Sequence, residues 1–359
     1  MALKVALVVP TLGRSPLLAE CLRALEAEAA GLLEGGAESG ERAGGSGAGA
    51  ELILVAQGAG AGLETLRRLA PGLAHRRIDL PRPVGFAAAA NLGIAAAEAT
   101  YVALVNDDAV VEPGWLAALL SALEGAPRAA SAQGVNLLAG DPERADGWGL
   151  GWNRWLQAVQ LGHGEPAPPP APPGASEPPA REVFGASATA ALYRREALLA
   201  VALPPRRAVP GPRGGAPPAP EVFDRGLGAY YEDVELAARL RAAGYGALSV
   251  PAARARHGGS LTAGSGAGRW RRVYGNRHLV AARLLGRSFW RYLPWLAARD
   301  LADLLGALGR GELGRAIGLG LGWGRAAWRL PAYLRSGPPL LAPRELQGAA
   351  GPPPDVEAP

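Results

Sequence analysis

This 359-residue sequence predicts an α/β fold, a doubly wound and mostly parallel sheet followed by a helical appendage. Three observations carry that prediction. Strand-like and helix-like stretches alternate four times between Lys4 and Val105, which is the pattern of a parallel sheet with right-handed crossovers. The strand-like stretches are nearly unbroken apolar runs, as in YVALV at 101–105, so both sheet faces must be covered by helices. Residues 269–335 read as helical and differ in composition from everything before them.

Residues 4–10 (KVALVVP) form the first strand, and Ser15 followed by Pro16 suits the N-cap and first turn of a helix running to about Ala30. The Gly-, Ala-, Ser- and Glu-rich tract at 31–50 reads as a surface insertion. A second strand at 51–56 (ELILVA), a short helix, a third strand at 76–80 and an Ala-rich helix at 86–99 lead to the strand at 101–105. Pro113 precedes a helix at 115–123, and 130–138 is extended. Two tracts, 162–180 and 203–220, are dominated by Pro or by Pro, Gly and Arg, and read as loops or disorder. Between them, 183–198 is strand-like and then helical. A further helix opens at Glu232 and Asp233 and ends at Gly244, in the usual position of a C-terminal glycine. A strand at 247–250, a basic loop and His257 follow. The expected organisation is therefore an α/β domain over 1–268 with three insertions, a basic Trp-rich helical region over 269–336, and a Pro-rich tail over 337–359. A chain ending near Gly268 is expected to fold without the rest.

The hydrophobic content of 49% allows a large core. The single cysteine, Cys21, excludes an internal disulfide or a cysteine-based zinc site and suits a reducing compartment. No signal peptide is expected, because the first core strand begins at Lys4. No uncharged apolar run reaches the ~18 residues of a membrane span. The net charge of +5 is local in origin: residues 269–335 hold 13 arginines against Asp300, Asp303 and Glu312, which leaves the remainder net acidic.

The first strand is followed by Thr11, Leu12, Gly13 and Arg14, without the spaced glycines of a dinucleotide site, and no G-x-S-x-G elbow of a serine hydrolase occurs. Two acidic sites remain. Asn106, Asp107 and Asp108 end a buried strand, where open α/β sheets place their ligands. Glu232 and Asp233 begin a helix, whose dipole favours their charged forms. Oxygen donors of this kind suit a hard divalent cation that holds phosphates, and His257 as a ligand leans toward Mn²⁺ over Mg²⁺. Read alone, residues 106–108 also suit a polar turn, Glu232 and Asp233 a helix cap, and His257 a plain surface or core position.

In chain order, V-P-T ending the first strand, GFAAAANLG, LVNDDAVVEPGWL, GASATAALYRREAL, FDRGLGAYYEDVELAARLRAAGYGALSVP and His257 resemble the family 2 inverting glycosyltransferases. The likeness is greatest to their bacterial rhamnosyltransferase-like members, and spans about residues 4–280. The resemblance implies a nucleotide-sugar domain of the GT-A type. It makes residues 106–108 the D-x-D-like segment, with Asp108 and His257 holding Mg²⁺ or Mn²⁺. It makes Asp233, beside Glu232, the catalytic base, and puts residues 185–193 along the sugar and acceptor site. Donor contacts are expected at Pro10, Thr11, Asn91, Asn106 and Asp107. The sequence departs from the family where Ala56, Gln57 and Gly58 replace the usual Asp-Asn pair and where Pro83 or Val84 replaces an Asn. Thr11, Arg14 and Gln57 are the substitutes for those nucleotide contacts.

The implied reaction is inverting transfer from a nucleoside-diphosphate sugar, dTDP-rhamnose first, to a glycan or polyprenol-linked acceptor in cell-surface polysaccharide synthesis. The alternatives are a GDP- or UDP-sugar donor, or an inactive membrane-bound scaffold if the Ala56-Gln57 replacement abolishes nucleotide binding. Five of the nine tryptophans lie in 269–335 among the arginines. No ordered base-stacking platform accompanies them, so nucleic acid is not expected. Helices of this composition suit a membrane surface carrying anionic lipid, with helical packing or an oligomer contact as the other reading. The expected location is cytoplasmic, peripheral on the inner face of the plasma membrane.

Overall fold

In the computed structural model the described residues are 4–38, 49–58, 74–172 apart from 154 and 156, 178–204, 220–259, 266–335 and 340. The expected helix between the second and third strands, the centres of the three insertions and most of the tail lie outside them.

The chain runs β1 (Lys4–Thr11), α1 (Leu18–Glu38), β2 (Gly49–Gln57), β3 (Ala74–Leu80), α2 (Phe86–Ala96), β4 (Tyr101–Val105), β5 (Ala109–Val111) and α3 (Trp115–Glu124). Then come β6 (Ala129–Leu138), β7 (Asp141–Gly147), β8 (Leu150–Trp152), β9 (Ala158–Gln160), β10 (Arg181–Val183), β11 (Ala190–Arg194) and α4 (Arg195–Ala200). The rest is α5 (Glu232–Ala242), β12 (Gly246–His257), α6 (Ala267–Leu285), α7 (Phe289–Gly309) and α8 (Leu313–Leu334). The sheet order is β10-β12-β6-β11-β4-β1-β2-β3, with β5 on β12 and β7 on β6.

Period-two alternation divides the core. Val5, Leu7 and Val9 of β1 face Leu22, Leu25, Trp115 and Leu119 of α1 and α3. Ala6 and Val8 face α2, Phe223, and Leu236 and Leu240 of α5 on the other side. With both faces covered, β1 from Val5 and β4 from Tyr101 carry no charged side chain until their carboxyl ends. These two parallel neighbours, with Val5 beside Tyr101 and Val8 beside Leu104, form the point at which the strand order reverses. A crevice beyond the strand ends belongs at such a point.

Three elements differ from the sequence reading. Helix α1 continues past Ala30 to Glu38, so the first insertion is shorter than 31–50. Strand β11 runs antiparallel between β4 and β6, which carries residues 187–189 to the polar end of β4. The stretch read as a basic loop before His257 is strand: β12 continues past a bulge between Ser249 and Arg254 and ends with His257 beside Ala109 and Leu138. The glycine that permits this bend is Gly134, where a Cβ would lie 2.1 Å from the Ala253 carbonyl oxygen.

The C-terminal helices share a core with the α/β domain. Leu279, Leu284, Leu285, Phe289, Leu296 and Tyr333 pack against Leu150, Trp152, Phe184, Leu227 and Val234. Asp300 of α7 joins the three helices, accepting from His278 Nε2 at 2.7 Å and Trp323 Nε1 at 2.9 Å and pairing with Arg277. Burial, then the Arg277 charge, push the His278 imidazole down to about 3, so it is neutral at physiological pH. No helix among the described residues is long and apolar enough to cross a membrane.

This shared core reverses the expectation for truncation. Each large buried apolar side chain contributes about 1.5–3 kcal/mol, and several would lose their partners, against a total stability of ~5–15 kcal/mol. A chain ending at Gly268 is therefore expected to be insoluble or to melt well below the full-length protein. Equal melting temperatures in differential scanning calorimetry would contradict the shared core.

Candidate active site

Strand β1 ends at Thr11, whose hydroxyl donates to Asp107 Oδ2 at 2.5 Å and accepts from the Gly13 amide at 2.8 Å. Asp107 and Asp108 are buried where β4 gives way to β5. Burial raises the Asp107 carboxyl; the Thr11 hydrogen bond opposes this and the Asp108 charge adds to it, leaving it above its usual range. Cys21, beneath them, is buried and its thiol is pushed far up by burial and by both aspartates, so it is inert as a nucleophile.

His257 arrives from the far end of β12, with Nε2 3.4 Å from Asp108 Oδ1 and Nδ1 2.8 Å from Asp146 Oδ2. Burial alone would lower this imidazole, but the hydrogen bonds and charges of Asp108 and Asp146 outweigh it and push it up to about 9. Asp146, near the end of β7, also meets His163 Nδ1 at 3.4 Å. Burial would raise its carboxyl, yet the two histidines hold it well below the usual carboxylate range.

The second acidic site opens α5. The two residues before it, Tyr230 and Tyr231, have φ of 70° and 71°. For residues with a Cβ this left-handed region costs roughly 1–2 kcal/mol each, and such strain gathers at functional sites. Glu232 is buried, and its Oε2 has no hydrogen-bond partner among the described residues. Asp233 is half-buried, accepts from the Val234 amide at 2.8 Å, and is also bonded by the Ala188 amide and the Ser187 hydroxyl. Burial raises both carboxyls, and their mutual repulsion raises Glu232 further, so they titrate as a pair. The helix dipole expected to favour the charged forms of both acids is outweighed by their burial.

The two acidic sites meet through β11 and Tyr230. The Asn106 amide donates to the Thr189 carbonyl at 2.8 Å, and the Thr189 and Ser187 hydroxyls are 3.2 Å apart. The Tyr230 phenol is raised first by burial; Arg269 and Arg272 pull it back, and Glu232 and Asp108 both push it up. Its ring thus lies within electrostatic reach of Glu232 and Asp108, and Thr11, Asn106, Asp107, Asp108 and His257 lie at the carboxyl ends of β1, β4 and β12.

Other expected donor contacts serve different purposes. Gln57 Oε1 accepts from the Val84 and Gly85 amides, both at 3.0 Å, and so braces the turn before α2. Asn91 corrects the expectation outright: both ends of its amide bond the Phe223 backbone at 2.8 Å, which is a structural bracket. Pro10 is buried within β1, and Arg14 is exposed beyond it. The sequence reading missed Asp146, which lay in an unremarked polar stretch, and Tyr230, whose backbone strain has no sequence signal.

Residues 6–201 match the pattern of glycosyl transferase family 2, more than half of the chain. The chain belongs to glycosyl transferase family 2. The match takes in β1, the brace at Gln57 and residues 106–108, and stops before Glu232, Asp233 and His257. The fold of this family 2 chain is shared with GalNAc-T7 crystallised with UDP, GalNAc and Mn²⁺, at TM-score 0.53 and 14% identity over 94% of the chain. It spans 59% of the length of that protein. Residues 1–349 of S. aureus TarS superpose at TM-score 0.51 and 13% identity, covering 97% of this chain and 83% of that one. These likenesses establish the GT-A-type fold. No protein with a curated description matches the sequence.

The donor set fits a divalent cation of the open type. Among the described residues no three His, Cys, Asp or Glu side chains close a metal cage. Asp108 and His257 instead lie side by side at 3.4 Å, near the ~3 Å separation of two ligands each about 2.1 Å from one ion at right angles. Remaining positions would be left to phosphates and water. Asp146 holds the other ring nitrogen of His257, as carboxylates do behind metal-bound histidines. Asp146→Asn is therefore expected to weaken Mn²⁺ binding ~10- to 100-fold with the circular dichroism spectrum unchanged. Unaltered affinity in isothermal titration calorimetry would remove Asp146 from this role.

Proposed function

We propose that this family 2 chain transfers a sugar with inversion from a nucleoside-diphosphate sugar to a hydroxyl of a glycan or polyprenol-linked acceptor in cell-surface polysaccharide synthesis. dTDP-rhamnose is the first candidate donor, and GDP- and UDP-sugars are the rivals. The observation that carries the reading is the pairing of Asp108 with His257 at the carboxyl end of β4, to which Asp233 is linked through Ser187, Thr189 and Asn106. A cation bound by Asp108 and His257 would supply neutralisation of the diphosphate leaving group. Asp233, fixed by the Val234 and Ala188 amides and the Ser187 hydroxyl, takes the acceptor proton. The acceptor oxygen bonds to the anomeric carbon as the bond to the diphosphate breaks, and one displacement inverts the centre. Buried Glu232 keeps an unpartnered oxygen beside it for an acceptor hydroxyl.

The test is a panel of dTDP-, GDP- and UDP-sugars with Mn²⁺, read as glycoside product. Asp233→Asn should lower turnover by about 10² to 10⁴-fold at unchanged donor KM and melting temperature. Because burial raises Asp233, activity should fall on the acid side at a pH above the ordinary aspartate range. Glu232→Gln should leave that limb nearly in place, because the Asp233 charge raises Glu232 and not the reverse, so Glu232 is still neutral where Asp233 ionises. Wild-type turnover in Asp233→Asn, or no product from any donor, would refute the mechanism; binding without turnover would favour a scaffold.

A peripheral position at the inner face of the plasma membrane, in the cytoplasm, is part of the same proposal. Trp290, Leu301, Leu305 and Leu308 form one exposed stripe on α7, and Leu313, Ile317, Leu321 and Trp328 another on α8. At least seven of the arginines of this region, Arg277, Arg283, Arg299, Arg310, Arg315, Arg325 and Arg329, have partners within the protein. Apolar insertion, more than free positive charge, therefore supports the reading. Leu305→Glu with Trp328→Glu should abolish co-sedimentation with anionic vesicles, while salt weakens it only in part. Unchanged sedimentation of the double variant would exclude this face as the membrane contact.

A further inference from the structure

We infer that helices α6 and α8 form a clamp that sets the aim of the acidic pair, with Asn276 and Arg325 as positioning residues for the base. The inference rests on the reading of Asp233 as that base. The segment between Phe223 and Glu232 has no regular secondary structure, yet four of its carbonyls, those of Gly226, Leu227, Ala229 and Tyr230, accept hydrogen bonds from the C-terminal helices. Asn276, fully buried on α6, directs its one side-chain nitrogen at three carbonyls, Leu227 at 3.0 Å, Ala229 at 3.0 Å and Tyr230 at 2.8 Å. Its oxygen accepts from Arg325 Nε and Nη2, both at 3.3 Å, and Arg325 Nη2 also donates to the Gly226 carbonyl at 2.8 Å. Arg329 donates to the same carbonyl.

The start of the segment is held as firmly. Asp224 is fully buried, caps the Gly226 amide at 2.7 Å with one oxygen, and accepts from the Tyr333 hydroxyl at 2.8 Å with the other. Arg283 spans Asp224 at 3.5 Å and Glu235 at 3.1 Å, tying the beginning of the segment to the helix that carries Glu232 and Asp233. The clamp explains how two consecutive tyrosines keep positive φ without glycine: strained backbone persists where its surroundings over-determine it. Relaxation of Tyr230 and Tyr231 would rotate the first turn of α5, and with it the carboxyl that meets Ser187 and Ala188. The C-terminal helices thus complete the active site without touching substrate.

Two full-length variants test this. Asn276→Asp keeps the size and the acceptor but turns an oxygen on the three carbonyls. Arg325→Lys is milder, because one ammonium cannot reach Asn276 and Gly226 together in a planar fork. Asp300→Asn and Trp323→Phe, which loosen the same helices away from the segment, are the controls. Hydrogen exchange of peptides covering 224–234 is followed beside kcat and donor KM. The expected result is faster exchange in that segment and a kcat loss of about tenfold or more, toward the ~10²-fold of a misplaced group, at unchanged donor KM. The controls should keep wild-type kcat even at lower melting temperature. Faster exchange with wild-type kcat, or unaltered exchange in both variants, overturns the inference. If Asn276→Asp does not fold, Arg325→Lys decides by the same two readouts. A wild-type chain that transfers no sugar would instead refute the functional reading, and the exchange data would then decide the clamp alone.

Discussion

Burial of both faces of the central sheet is the constraint on which the rest of this protein depends. Strands β1 and β4 lie side by side with helices above and below, so from Val5 and Tyr101 onward neither carries a charged side chain before its carboxyl end. Thr11, Asn106, Asp107 and Asp108 are the first residues free of that constraint, and they emerge together because the two strands are parallel and in register. The antiparallel β11 then brings residues from a distant part of the chain to the same edge, through the Asn106 to Thr189 hydrogen bond. Site and fold are set by one geometric fact.

The electrostatics of the site follow from competition between burial and compensation. A helix dipole stabilises a carboxylate by about 0.3–1 kcal/mol, whereas removing one from water costs several kcal/mol. Burial therefore prevails at Glu232 and Asp233, and both carboxyls are raised although they open a helix. Where cationic partners are present the balance reverses, as at Asp146 between His163 and His257. One end of the site thereby gathers positive charge, and the other holds two carboxyls above their usual range.

The C-terminal helices change meaning once their inward and outward faces are distinguished. As composition, 13 arginines suggest a basic surface. In space, several hold backbone carbonyls and carboxylates of the segment before α5, and the outward faces of α7 and α8 are largely apolar. A guanidinium presents several donors in a planar fork, which suits it to gripping carbonyls in irregular chain. Region and domain are one packed unit around Leu227, Val234 and Phe289.

The sequence by itself determined the core strands β1 to β4 and β6, most helices, the α/β class, and the residues that end β4 and begin α5, but not the short strands β5, β7, β8 and β9. Those features are local: apolar runs, capping residues and punctuation by glycine and proline act within a few positions. It also carried the motif order that places the chain among family 2 glycosyltransferases, because that order is written along one dimension. Only the tertiary structure decided that β11 runs antiparallel, that β12 continues through a bulge to deliver His257, and that Asp146 stands behind it. It likewise gave Asn91 the role of a bracket for Phe223, and joined Asn276 and Arg325 to the segment before α5. Each of these depends on partners tens to hundreds of residues apart, and pairing at that distance is set by how the layers pack, which no local run of residues encodes.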